Sequence, residues 1–175
     1  MSRARDATIA VATELFAERG YSDVTIRDIA YLANLSPAMI IKCFGSKENL
    51  FHEVATVKPL SLPDVPDSEL GERLVRDLFD RFQANAIEPM ARAFVLRLTA
   101  PDPDSVRKNF TEGYFDPLAE RLGGGADARL RAELVVSALV GLAATLRIFD
   151  PRAISERTDE VQHSYGMTVQ RLLDG

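Results

Sequence analysis

The chain has 175 residues, 46% of them hydrophobic and 27% charged, with a formal net charge of −5, an ordinary globular composition. It lacks both the roughly 20-residue apolar run of a bilayer span and the apolar leader of a secretory signal, and one cysteine, Cys43, excludes an internal disulfide, so a reducing, cytoplasmic setting is expected. The first fifty residues carry six basic and six acidic side chains, so the whole deficit lies in the remainder and charge alone does not announce a nucleic-acid binder.

Helical periodicity runs through nearly every segment, and no segment alternates as a strand would. The first helix is expected over Ser2–Arg19, with Ile9, Ala12, Thr13, Leu15 and Phe16 inward, Gly20 as its stop and Tyr21 packing back. Thr25 is a good N-cap and Asp28 stands three residues later, the spacing of a capping box. Val24 and Ile29 have the spacing of a hydrophobic staple, and Ile26, Ile29, Ala30 and Ala33 form the inward stripe. A break follows at Ala33–Asn34–Leu35, where Asn34 tolerates the left-handed backbone of a sharp turn. Ser36 caps a third, short helix that Pro37 preorganises and Phe44–Gly45 ends, and Ser46 caps a fourth.

After Val57 the texture changes. Pro59, Pro63 and Pro66 mark a non-helical connection. A helix beginning near Asp67 carries Leu74, Val75, Leu78, Phe79 and Phe82 on one stripe. The next carries Ala91, Phe94, Val95 and Leu98, and Pro101 and Pro103 end it. A third carries Val106, Phe110, Tyr114 and Leu118, with a kink expected at Pro117. Gly123–Gly124–Gly125 is a loop, a long apolar helix spans Asp127–Phe149, Pro151 breaks the chain, and a last helix covers Ser155–Leu173.

Two short helices joined by a tight turn and braced by a preceding helix make a helix-turn-helix. A short helix fits a major groove with its first residues against base edges, while free N–H groups at helix starts capped by Thr25, Ser36 and Ser46 can donate to phosphate oxygens. The stretches A-x-E-L-F-A-E-R-G-Y at 12–21, V-T-I-R-D-I-A at 24–30, A-N-L-S at 33–36 and K-C-F-G-S-K-E-N-L-F at 42–51 make this segment more specific. In order and spacing it resembles the N-terminal domain of TetR/AcrR-type transcriptional regulators. The remaining residues are only generally similar to the variable ligand-binding region of that family, and Leu139–Ala143 looks like its dimerisation helix.

The resemblance implies an all-α fold, with a DNA-binding domain at 1–50 and a helical ligand-binding and dimerisation domain at 51–175. It implies that Thr25 caps the second helix and touches phosphate, and that Arg27 reaches backbone or a base edge. Ser36, Pro37, Ala38 and Met39 become the leading edge of the recognition helix, Lys42 points to phosphate or a base, and Lys47 pairs with phosphate at the start of the fourth helix. Ala38 and Met39 can meet thymine methyls but cannot make forked bonds to guanine, so specificity is expected to lean on Arg27, Lys42 or DNA shape. The chain departs from the family where Ile41 replaces a usual aromatic and Cys43 replaces a usual His or Tyr.

The expected partners are double-stranded operator DNA, a small-molecule effector of unknown identity and a second copy of the chain, with no membrane. Phe79, Phe82, Phe94, Phe110 and Tyr114 are core residues of which a subset lines the effector cavity. Small and apolar side chains at Leu134, Ala138, Gly141, Leu142 and Thr145, together with Tyr165, Thr168 and Leu172, are the candidate dimer surface. His52 and His163 lack a ligand set, and no nucleophile–base pair or phosphate loop is present. The function read from the sequence is therefore a repressor released from its operator by an effector, not an enzyme, with no cofactor or metal. The neutral head, Ile41 and Cys43 sustain one alternative: a helical ligand- or partner-binding module with weakened or lost DNA binding.

Overall fold

The computed structural model describes residues 2–55, 61–84, 98–149 and 151–175, and among them all regular structure is helical. The elements in chain order are α1 (Ser2–Arg19), α2 (Ile26–Leu32), α3 (Pro37–Phe44), α4 (Lys47–Ala55), α5 (Leu70–Gln83), α6 (Pro103–Phe110), α7 (Asp116–Arg121), α8 (Gly125–Phe149), α9 (Arg152–Glu156) and α10 (Thr158–Asp174). The chain divides into two compact units, Met1–Val57 with Arg92–Asn109, and Lys58–Ala91 with Phe110–Gly175. The segment expected to carry Ala91, Phe94 and Val95 lies outside the described residues.

The first unit closes around Ala12, Leu15, Phe16, Val24, Ile29, Ala30, Ile40, Leu50, Phe51 and Val54, with Val106 of α6 packed among them. Three aromatic rings hold its centre. Phe51 meets Phe16 edge-on at 5.1 Å and Tyr21 edge-on at 5.1 Å, while Tyr21 stacks on Phe16 at 6.0 Å, so Tyr21 does return to the bundle. Gly20 ends α1 with φ +77°, and a β-carbon there would come within 2.8 Å of Thr99 Cγ2, so both backbone and space call for glycine. Arg5 ties the start of α1 to α4 by donating from Nη2 to Glu53 Oε2 at 2.7 Å, and its guanidinium lies 5.2 Å from the Phe44 ring.

In the second unit α5 turns Leu70, Leu74, Val75, Leu78 and Phe79 inward. Its main partner is α10, through Gly71, Gly166, Val169 and Leu173. α8 supplies Ala132, Val135, Val136, Leu139, Ala143 and Leu146 to the same core. The connection before α5 is clamped by Arg121, whose guanidinium donates to the carbonyls of Pro63 at 2.6 Å and Val65 at 2.5 Å and to Asp67 Oδ1.

Three boundaries differ from the sequence expectation. The kink at Pro117 takes the form of a π turn, Thr111–Phe115, between α6 and α7. Pro117 has no N–H, and the wider turn moves the preceding carbonyl away from its ring. α8 begins at Gly125 rather than Asp127. The last helix is interrupted at Arg157, where φ −125° and ψ 40° leave the helical region, so α9 and α10 are separate.

Candidate nucleic-acid interface

The α2–α3 pair is built from local chemistry. Thr25, in extended backbone, accepts the Asp28 N–H on Oγ1 at 3.2 Å. Asp28 Oδ2 accepts the Thr25 N–H at 2.8 Å and the Thr25 hydroxyl at 2.6 Å, completing the capping box. Those bonds to the ionised carboxylate hold Asp28 below the ordinary carboxylate range, with Arg19 and Lys47 adding to the effect. Val24 and Ile29 are both fully buried, as the staple requires.

The turn closes as a Schellman motif. Asn34 sits at φ 54°, its N–H bonds the Tyr31 carbonyl at 3.2 Å, and the Leu35 N–H reaches back to Ala30 at 2.9 Å. Ala33, expected on the inward stripe, is the C-cap and only partly buried. Ser36 then accepts the Met39 N–H at 3.2 Å and Pro37 fills the first helical position of α3. Gly45 ends α3 at φ +81°, Ser46 accepts the Asn49 N–H at 3.0 Å, and the Asn49 side chain donates to the Phe44 carbonyl at 3.1 Å.

This scaffold presents Thr25, Arg27, Ser36, Pro37, Ala38, Met39 and Lys42 on the exposed surface of one unit, while Ile40 and Phe44 anchor α3 beneath. Arg27 and Lys42 make no ion pair among the described residues. Lys47 is different. It is half-buried, with Nζ 4.1 Å from the Tyr21 ring centroid. Burial lowers its pKa, while Asp23 and Asp28 oppose that shift. Ile41 is exposed and Cys43 partly buried. Tyr31, 84% exposed, was not singled out from the sequence. The signal was present: Tyr31 stands four residues after Arg27, on the side of α2 opposite Ile26, Ile29 and Ala30.

The other candidate residues that the structure describes lie in the second unit. Phe110 meets Tyr114 at 4.8 Å and Phe115 at 5.3 Å around the π turn, Phe79 is buried on α5, Phe82 is partly buried, and Phe94 lies outside the described residues. A cleft of about 480 Å³ is lined by Asp67, Leu70, Arg121, Arg131, Leu173 and Asp174, and Phe79, Phe82, Phe110 and Tyr114 are not on its walls. Of the dimer candidates, Leu134, Gly141 and Thr168 are exposed, Ala138, Thr145, Tyr165 and Leu172 are partly buried, and Leu142 is inside the protomer core. Tyr165 donates its hydroxyl to the Ala138 carbonyl at 3.1 Å, so that pair joins α10 to α8 within one chain. Leu130 and Met167 are exposed apolar residues on the same two helices that the sequence reading passed over. No helix among the described residues is long and apolar enough to cross a membrane.

Residues 9–54 match the family model described as bacterial regulatory proteins, tetR family, and residues 68–173 match the tetracyclin repressor-like C-terminal domain. The HTH-type transcriptional repressor Rv3405c of Mycobacterium tuberculosis is 29% identical over 177 aligned positions, covering 96% of this chain and 88% of that protein. A TetR-family regulator from Streptomyces coelicolor is 29% identical with a TM-score of 0.64, covering 100% of this chain and 97% of that one. A TetR-like regulator from Rhodococcus sp. RHA1, at 18% identity and a TM-score of 0.67, covers 97% and 93% and shares the fold.

Proposed function

This chain belongs to the tetR family of bacterial regulatory proteins, and we propose that it works as a homodimeric repressor that a small molecule releases from its operator. The observation that carries the reading is the exposed start of α3, held by the Ser36 cap and Pro37, with exposed Lys42 one turn along and Arg27 on the neighbouring helix. A helix of this length enters a major groove with its first residues toward the bases, while cations beside it neutralise phosphates.

The repressor relative in Mycobacterium tuberculosis supports the direction of control. An exposed apolar stripe on α8, Leu130, Leu134 and Gly141, supports self-association, as does Met167 with Thr168 on α10. Two reading heads on one dimer bind half-sites roughly 34–36 Å apart, or a multiple of that, far more tightly than one head alone. An effector releases the operator only if it binds the non-binding arrangement more tightly. The aromatic group Phe110, Tyr114 and Phe115 is the wall we assign to it, with Phe79 and Phe82 as further candidates.

The test is a mobility-shift titration of the full chain with the DNA flanking its own gene. The reading expects a dimer bound to a two-fold symmetric site, with affinity falling steeply as salt rises. Absence of any sequence preference would instead favour a helical binding module that no longer reads DNA, the reading that Ile41 and Cys43 keep open.

A further inference from the structure

What α3 buries fixes what it can read. Ile40 and Phe44 point into the core, and Cys43 lies at its edge. At about 100° per residue, the opposite side is centred on Ala38 and Lys42, flanked by Met39 and Ile41, with Pro37 at the leading end. All five are exposed, Met39 at 44% and Ile41 at 43%. Four of them offer only hydrocarbon or thioether surface. Lys42 is the one donor on this face, and it is a point charge on a flexible stem. Guanine is read best by the planar fork of an arginine and adenine by a side-chain amide; this face carries neither, and Lys42 is its single cation. Ser36 Oγ accepts the Met39 N–H and keeps its hydroxyl proton to donate, but it stands at the cap, off the side centred on Ala38 and Lys42.

Pressed into a major groove, such a face gains by desolvation only where the groove is itself apolar. The major groove has one apolar group, the 5-methyl of thymine. We infer that α3 is a thymine-methyl reader: Ala38, Met39 and Ile41 select half-sites with T·A pairs beneath the helix, while Lys42 supplies phosphate affinity. Ile41, which departs from the usual family aromatic, thereby becomes part of the specificity surface. The inference rests on the DNA-binding reading above and names the chemistry of the same site.

The test begins with selection of duplexes from a random pool by the full-length protein. The selected half-sites are then remade with deoxyuridine for thymidine, which removes the methyl and leaves the hydrogen-bonding edge unchanged. Each contacted methyl is expected to be worth about three- to fivefold in affinity. Exchanging a contacted T·A for C·G is expected to weaken binding, and 5-methylcytosine at that position to recover part of the loss. Met39→Ala, at an exposed position where folding is checked by circular dichroism, should bring the thymidine-to-deoxyuridine ratio toward one. Specific binding that is indifferent to deoxyuridine, or to cytosine methylation, overturns the inference while leaving DNA reading intact. Failure to enrich any sequence overturns both.

Discussion

Gly71 of α5 and Gly166 of α10 sit where these two helices cross in near backbone contact. A β-carbon on Gly71 would lie 2.5 Å from the Gln170 nitrogen and 2.8 Å from the Gly166 carbonyl oxygen, and one on Gly166 would lie 2.9 Å from Glu72 Cα. The Gly71 N–H also donates to Gln170 Oε1 at 2.9 Å, and Gln170 Nε2 donates to the Asp67 carbonyl at 2.9 Å, so α10 caps the start of α5. Backbone atoms cannot step aside as a flexible side chain can. Gly71→Ala and Gly166→Ala should therefore each destabilise the chain by about 1–3 kcal/mol despite better helix propensity, read as a lower midpoint in urea. An unchanged midpoint would mean that the helices can part without cost.

The capping box makes α2 sensitive to acid. Asp28 has its pKa lowered by the Thr25 hydrogen bonds, so its contribution is fully present above the ordinary carboxylate value of about 3.9. The contribution is lost as pH falls through the lowered value. Asp28→Asn should melt below the parent at neutral pH, and the gap should close on acidification. A gap that persists in strong acid would assign the loss to something other than ionisation. Thr25→Ala removes the cap acceptor and should cost about 0.5–2 kcal/mol.

Lys42 and Lys47 should separate on two measurements. Lys42 is exposed and makes no ion pair among the described residues, so Lys42→Ala should weaken operator binding and reduce the salt slope by about one, with thermal stability unchanged. Lys47 covers the Tyr21 ring, so Lys47→Ala should lower thermal stability as well as affinity. Identical behaviour of the two variants would contradict the difference in their surroundings.

The outward stripe of α8 predicts a clean oligomer phenotype. Leu134→Arg places a charge on an exposed apolar face and leaves the protomer core untouched. Sedimentation should show a shift from dimer to monomer, with secondary structure retained and affinity for a two-half-site operator lost. Leu142→Ala, by contrast, opens a cavity inside the protomer and should cost about 2–5 kcal/mol of stability. A Leu134→Arg protein that remains dimeric would move the interface elsewhere.

The Arg121 clamp holds the 63–67 connection against the end of α7. Arg121→Met keeps the apolar stem and removes the donors. Hydrogen exchange should then rise in residues 61–69 and at the start of α5, with the α2–α3 pair unaffected. Equal exchange in both proteins would show that other contacts hold the connection.

Much of the reading head is legible in residue order because its devices are short-range. Thr25 finds its partner three residues on, Ser36 likewise, and Asn34 folds its turn onto Ala30 and Tyr31. Such bonds close within one helical turn and depend on little else. The break at Arg157 and the π form of the Pro117 kink were not legible, because nothing in those short stretches dictates how a helix yields.

Sequence alone determined the helical class, the helix-turn-helix with its three caps, and the family to which the pattern points. Only the tertiary structure decided that Gly71 meets Gly166, that Arg121 reaches Pro63, and that Leu142 lies inside while Leu134 lies outside. The physical reason is range. A cap is satisfied by its neighbours, whereas α8 is apolar on several sides, and which side faces inward is settled by helices that arrive from far along the chain.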